Sequence, residues 1–323
     1  MPVNTGVVAR LLTSGQRAHE IAAVTALMRS GALPVERLAS IIDHLGSAVE
    51  LLAMVDEQRL PPFLGGQGGQ LSLGGVAAPD VERALADAES WLASGLDVRT
   101  VLDPAYPPLL HSIFNRPPML FVTGTWDQRR DYSAVAVVGT RQATDSGLRR
   151  ARRVVKELAA AGTTIISGLA LGIDTAAHET ALACGARTVA VLGSGLRRVY
   201  PPANRGLAQR ILASGCALLS QFFPDQPPTK WTFPKRNVVM SGLTVATVVV
   251  EAGESSGAKM QARFALEHGR SVFLLSSLVA EHEWARRYVR DGVESNHAVE
   301  VSSSRDILDR LAGKIPAAAA PSR

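Results

Sequence analysis

The sequence predicts an α/β fold, a doubly wound, mostly parallel sheet with a small N-terminal helical domain. Three observations carry this expectation. From residue 134 onward, short and nearly continuous apolar runs rich in Val and Ile recur. Such runs suit strands buried on both faces. The segments between the runs are long enough for crossover helices, and that alternation builds a parallel sheet. Before residue 60 the apolar residues fall instead at helical spacing.

Ile21, Val24, Leu27 and Met28 mark a first helix; Pro34 followed by Val35, Leu38, Ile41 and Ile42 marks a second. Together they predict a helical domain over residues 1–60, SAM-like or a helical bundle. The stretch PPFLGGQGGQLSLGG breaks both periods, so 61–78 reads as a Gly-rich linker. The main domain is expected over 79–314. It opens with a helix near Val81–Leu92 and an extended piece, Val98–Leu102, leading into the turn DPAYPP. Its strands are AVAVVG (134–139), TTIIS (163–167), RTVAVLG (187–193), CALLS (216–220), TVATVVV (244–250) and SVFLL (271–275). Residues 315–323 read as a frayed tail.

Composition narrows the classes. In 323 residues, 46% are hydrophobic and 20% charged, which excludes a disordered or fibrous chain. The longest apolar run, around Leu243–Ala252, is far shorter than the roughly 18 residues a membrane span needs. The first residues lack a signal-peptide pattern. A cytoplasmic protein without a membrane partner is the expectation. Cys184 and Cys216 cannot form a disulfide framework or a thiolate metal site alone, and both read as buried thiols. No metal and no cofactor is predicted. The formal charge of +5 divides unevenly: residues 1–100 carry 7 basic and 11 acidic side chains, and residues 101–323 carry 27 and 18. A polyanionic partner would therefore meet the second part.

In a doubly wound sheet, ligands bind beyond the carboxyl ends of the strands, so the strand ends hold the candidate chemistry. The first ends in Gly139-Thr140-Arg141, with Thr144, Asp145 or Ser146 able to cap the next helix. It lacks the full dinucleotide fingerprint, and on spacing alone an ordinary turn is the better reading. The second ends in SGLALGID from Ser167 and Gly168. There Asp174 and His178 are either an acid/base pair or, with more weight, a helix cap and a packed histidine. The third ends in Gly193-Ser194-Gly195 and continues to Tyr200-Pro201. In KWTFPKRN, Trp231 and Phe233 interleave with Lys230, Lys235 and Arg236. Aromatic platforms among cations suit single-stranded nucleic acid; a loop with core aromatics is the equal alternative. Glu251 ends the fifth strand and is followed by Ser255, Ser256, Gly257 and Lys259. It suits a ribose or a general base, or else a buried carboxylate held by amides. Between Gly147 and Ala161, Arg149, Arg150, Arg152, Arg153 and Lys156 crowd one helix, which reads as a solvated face. No P-loop, HExxH or GxSxG pattern occurs, so an enzyme is not predicted.

Taken in order, these strand ends resemble the DNA-processing protein A family (DprA/Smf). The carriers are Gly139-Thr140-Arg141; SGLALGID (167–174) with Ala177-His178; VLGSG (191–195) with Tyr200-Pro201 and Asn204; FPKRN (233–237); and Glu251-Ala252 with Ser256-Gly257. The lead-in from Tyr106 to Gly124 also fits, and the likeness runs through about 100–275. The resemblance implies a Rossmann-like core that binds single-stranded DNA, commonly as a homodimer. It further implies protection of the strand and assistance in loading the recombinase RecA during DNA uptake and natural transformation.

By the same resemblance, the DNA site comprises Gly139, Thr140, Arg141, Ser167, Gly168, Lys230, Phe233, Lys235, Arg236 and Asn237, with Arg141, Lys235 and Arg236 facing one groove. The alternative is a nucleotide sensor or nucleotide hydrolase on the same fold, drawing on Gly193, Gly195, Glu251, Ser256, Gly257 and Lys259. The chain departs from the family at Val238, Gln221, the Ala258–Gln261 segment and Ser276-Ser277, and a counterpart of the winged-helix domain that ends many members is not expected. Val238, Ala258–Gln261 and Ser276-Ser277 are expected along one rim of the pocket, in a diverged member.

Overall fold

The structure is a computed structural model that describes residues 17–56 and 78–313. All but the last residue of the expected Gly-rich linker, and the whole expected tail, lie outside the described residues. The chain divides into two compact units: residues 1–106 with 114–121, and residues 107–113 with 122–323.

The first unit holds α1 (Arg17–Ser30), α2 (Val35–Leu45), α3 (Ala48–Asp56) and α4 (Ala78–Ala93), followed by β1 (Asp97–Thr100). Apolar positions at helical spacing bury Ile21, Val24 and Leu27 on α1 and Leu38, Ile41 and Ile42 on α2. They also bury Val81, Ala84, Ala88 and Trp91 on α4, and Trp91 meets Phe121 edge-on at 5.1 Å. Gly46 ends α2 in the left-handed conformation. Glu20 of α1 then anchors the start of α3, accepting from Ser47 Oγ and Ala48 N, both at 2.7 Å. Of the sequence expectations here, the two helices near Ile21 and Pro34 are present, and α3 is an addition.

In the second unit, strands and helices alternate. In order come α5 (Pro108–His111), β2 (Met119–Gly124, whose last three residues lie in this unit), α6 (Gln128–Asp131), β3 (Val135–Val138), α7 (Asp145–Ala160) and β4 (Ile165–Ser167). Next are α8 (Ile173–Ala183), β5 (Thr188–Val191), α9 (Arg205–Ala213), β6 (Ala217–Ser220), α10 (Thr232–Gly242) and β7 (Ala246–Val249). The unit closes with α11 (Gly257–Glu267), β8 (Ser271–Leu275), α12 (Ser276–Glu281), α13 (Glu283–Arg290), β9 (Val299–Val301) and α14 (Ser304–Leu311).

Seven strands pair in parallel in the order β6-β5-β4-β3-β7-β8-β9. All six apolar runs named from the sequence are strands, and the doubly wound, mostly parallel sheet is present. The chain winds outward from β3 to β6, then returns through α10 to place β7 on β3's other side. That reversal is a topological switch point, where such sheets open a crevice at the strands' carboxyl ends. β9, α12 and α13 were not legible as elements. Three strand residues leave too short an apolar run.

The core cluster gathers Val135 and Val137 of β3, Ala151, Val155 and Leu158 of α7, and Val248 and Phe273 of the strands beyond. A buried ion pair lies at the starts of β4 and β5. Asp131 is fully buried and accepts from Arg187 Nε at 2.9 Å and Nη2 at 2.7 Å, from Thr164 Oγ1 at 2.9 Å and from Asp127 N at 2.8 Å. The pair fastens the starts of β4 and β5 to α6, and the bond to Asp131 raises the Arg187 pKa. Cys216 is buried, but Cys184 is exposed, against the expectation. It caps the C-terminus of α8, where the chain turns at the surface.

His178 is a packed histidine. Its ring is fully buried and Nδ1 lies 2.7 Å from Thr188 Oγ1. Thr188 Oγ1 already donates to Ile165 O at 2.9 Å, so the ring nitrogen is the donor. Burial pushes the His178 pKa down from 6.5 to about 3, and the positive charge of Arg236 acts the same way.

Two predictions follow from these buried groups. Asp131→Ala strands Arg187 without its counter-charge and should cost about 3–5 kcal/mol, read as a lower urea midpoint at unchanged slope. Because the folded chain resists protonating His178, the unfolded chain takes up protons first as pH falls below 6.5. Stability is therefore full above 6.5 and declines as pH falls through 6.5 towards 3. Urea midpoints at pH 7 and pH 5 should show the loss, and His178→Gln should shrink it.

Candidate nucleic-acid interface

A cleft of about 600 Å³ opens at the switch point. One wall is the turn after β3, with Gly139, Thr140, Arg141 and Gln142; another is the segment after β7, with Gly253, Ser255, Ser256 and Gly257. Phe233, Pro234, Arg236, Asn237 and Met240 of α10 enter from a third side, and Ala170 and Asp174 after β4 complete it.

Each wall has a local cause. Thr140 N donates to Glu251 O at 2.7 Å, which joins the ends of β3 and β7. Thr144 caps α7 by accepting from Gly147 N at 2.9 Å. Glu251 accepts from Thr144 N at 3.2 Å and Oγ1 at 2.9 Å, so its carboxylate braces the loop that carries Arg141. Glu251 is partly buried, holds one amide and one hydroxyl of Thr144, and does not line the cleft. α10 starts against β5 because Thr232 Oγ1 donates to Gly193 O at 2.5 Å. Ser256 caps α11 by accepting from Ala258 N.

The cleft floor is a buried guanidinium. Arg236 is 6% exposed. Its Nη1 donates to Gly168 O at 2.5 Å and Val191 O at 3.0 Å, and its Nε donates to Asn237 Oδ1 at 3.0 Å. Asn237 Nδ2 in turn donates to Gly257 O at 3.1 Å. A Cβ at Gly168 would overlap this guanidinium, which is why the strand end needs glycine. Burial lowers the Arg236 pKa; Asp174 opposes that shift and Arg141 adds to it. Burial likewise raises the Asp174 pKa against the pull of Arg236. Asp174 accepts from Gly168 N at 3.1 Å and Ala170 N at 3.3 Å, so it orders the loop before α8 and is not paired with His178. Gly172 holds the N-cap position instead.

The exposed parts of the site are aromatic and cationic. The Arg141 guanidinium lies 5.0 Å from the Phe233 ring centre, and Tyr200 packs beside the same ring at 5.9 Å with a 49° tilt. A Cβ at Gly193 would crowd the Phe233 edge. Trp231 is 69% exposed with Lys230 Nζ 5.0 Å from its ring centre.

Of the residues singled out for DNA, Gly139, Thr140, Arg141, Phe233, Arg236 and Asn237 line the cleft. Gly168 borders an adjoining hollow with Arg141, Leu171 and Tyr200. Ser167 is buried and spends its hydroxyl on Val137 O at 2.7 Å. Lys230 and Lys235 are exposed outside the lining. Arg236 and Arg141 do meet at one groove, but Arg236 is bonded inward.

Of the nucleotide set, only Ser256 and Gly257 line the cleft. Gly195 packs against Phe223 and Pro224. Lys259 pairs with Glu254 at 3.0 Å and lies 5.8 Å from the Trp284 ring. The family departures do not share one rim: Ala258, Met260 and Gln261 line the cleft, whereas Ser276 and Ser277 line a separate cavity and Val238 lines neither. Sequence reasoning missed Gln142 and Met240 as lining residues, since nothing in their spacing sets them apart. Among the described residues no group of three or more His, Cys, Asp or Glu gathers to hold a metal ion, and no single helix is long and apolar enough to cross a membrane.

Comparison with known proteins places the chain among relatives. The family model of DNA recombination-mediator protein A matches residues 97–312. Protein Smf of Synechocystis is 42% identical over 197 residues, which cover 59% of this chain and 49% of that protein. DNA processing protein DprA of Streptococcus pneumoniae is 35% identical over 211 residues, covering 65% and 72%. The chain spans about half the length of the first curated relatives it matches.

Among solved structures, DprA from Streptococcus pneumoniae superposes with a TM-score of 0.67 at 27% identity, over 89% of this chain and 96% of that one. DNA processing protein A from Helicobacter pylori, described with its single-stranded DNA binding mode, gives 0.59 at 25% identity over 68% and 97%. With the family model matched across the whole alternating region, the chain belongs to the DNA recombination-mediator protein A (DprA/Smf) family.

Proposed function

We propose that this protein binds single-stranded DNA in the cleft at the switch point, without turnover, as a homodimer in the cytoplasm, and that it protects the strand and assists RecA loading. The observation that carries the reading is the Arg141–Phe233–Tyr200 cluster above the buried Arg236. It joins an exposed guanidinium to aromatic rings at the carboxyl ends of parallel strands. Phosphates are met by charge and bases by rings, the combination that holds single strands without reading sequence. The Helicobacter pylori relative, described with single-stranded DNA, supports the same ligand class. A binding role rather than a catalytic one fits the site's polar groups, because Asp174, Glu251 and Arg236 are engaged with loop amides, Thr144 and carbonyls.

Oligonucleotide affinity should fall with salt, with a slope of about −0.7 for each phosphate contacted. Phe233→Ala should weaken binding by about 1–3 kcal/mol, equally for all sequences, and leave the salt slope unchanged. Arg141→Ala should make the slope shallower. Fluorescence anisotropy at several salt concentrations reads both. Unaltered affinity in the Arg141→Ala/Phe233→Ala double variant would remove the cleft as the DNA site. Stabilisation by a mononucleotide with none by oligonucleotide would favour the nucleotide-sensor alternative.

A further inference from the structure

A second cavity, of about 230 Å³, opens where β8 and β9 end. Arg150 and Arg153, three residues apart on α7, face two serine runs across it, Ser276-Ser277 and Ser302–Ser304. The crowding of arginines on α7, which suggested only a solvated face, thus has a second aspect: two of them border a hydroxyl-rich hollow.

The donors in this hollow are incompletely used. Ser304 is 3% exposed and lines the cavity. Arg150 Nε is buried and has no hydrogen-bond partner among the described residues, although Nη1 donates to Ser146 Oγ at 2.7 Å and Nη2 stands 4.0 Å from Glu251 Oε2. Ser276 Oγ donates to Val301 O at 3.2 Å and lies 3.0 Å from Ser302 Oγ.

The backbone amides before α14 are already taken. Asp306 Oδ2 accepts from Ser302 N and Ser303 N, and Asp306 N donates to Ser303 Oγ. What remains on offer comes from side chains: two guanidinium groups and serine hydroxyls. The nearby carboxylates are committed, Glu157 to Arg153 Nε at 3.0 Å, Glu251 to Thr144, and Asp306 to the cap.

We propose that this cavity binds a phosphate oxyanion through Arg150, Arg153 and Ser304, as a site separate from the cleft. Planar guanidinium groups and a hydroxyl converging on one hollow match the oxygens of a phosphate group. The phosphate comes either from a free phosphate or phosphate monoester, or from the backbone of a strand that also occupies the cleft. The second source rests on the DNA reading above; the first does not.

Calorimetric titration of the full chain with inorganic phosphate, beside anisotropy with oligo(dT), tests this. The variants are Arg150→Gln/Arg153→Gln and Ser304→Ala, with Phe233→Ala as the cleft control and thermal melting to confirm folding. Saturable phosphate binding is expected in the parent and in Phe233→Ala. It should weaken at least tenfold in the double variant and severalfold in Ser304→Ala, which touches neither Glu251 nor Thr144. A salt slope for oligo(dT) that becomes shallower by about 0.7–1.4 in the double variant identifies the strand as the source. An unchanged slope with lost phosphate binding identifies the free ion or monoester.

Phosphate binding that survives both variants overturns the proposal, as does no phosphate binding together with an unchanged slope. Phosphate binding without any oligo(dT) binding leaves the cavity site standing and sinks the DNA reading alone.

Discussion

A cation withdrawn from water holds the candidate site in shape. Arg236 sits at the carboxyl ends of β4 and β5 and satisfies its guanidinium with carbonyl oxygens of Gly168 and Val191 and the amide oxygen of Asn237. Burying a charge is costly unless it is paired and hydrogen-bonded. Here the compensation comes from strand-end dipoles and the nearby Asp174, so the same groups that lower the cost also fix the relative positions of two strands and α10. Asn237 extends the chain of bonds to Gly257 and thereby to the start of α11. Gly168 is bound to this arrangement by space as well as by its carbonyl, because any side chain there would enter the guanidinium.

The strand pattern was legible because strands buried on both faces are written as unbroken apolar runs, whereas the order of those strands, and with it the switch point, is set by tertiary pairing that no run records. β9 escaped because its three residues carry a glutamate at the centre, Val299-Glu300-Val301. Residue chemistry was legible at the site, but direction was not. An arginine suited to phosphate is equally suited to carbonyl oxygens, so Arg141 and Arg236 read alike in the sequence while one stands in the open and the other is enclosed. Glu251 and Asp174 show the same ambiguity. Both resemble acid/base groups in isolation, and both are loop braces once their partners are known. Cys184 was misjudged because a cysteine beside a glycine at a helix end has no sequence sign of which way the cap faces.

α7 connects the two polar regions of the second unit. Its first turn is capped by Thr144, which Glu251 grips, and Arg150 stands within 4.0 Å of that same carboxylate. The helix thus sits with its N-terminal end against the Arg141 loop and two of its arginines on the serine-lined hollow beyond β8 and β9. A residue one turn along a helix from a binding loop is held in register with it by the hydrogen-bond ladder itself, so the two regions share one rigid element.

The Phe233 ring, finally, is already in use before any ligand arrives. Arg141 rests over it and Tyr200 leans against it. A base that stacks there takes a place the guanidinium must yield, and the guanidinium yields at least cost when an anion is present to receive it. A neutral ring alone offers nothing in exchange, and a phosphate alone leaves the aromatic surface to water. Under the proposed DNA reading the site would therefore favour ring and charge arriving on one molecule at one spacing. On that reading coincidence would be what the site selects, a property of the pair that neither Arg141 nor Phe233 has by itself.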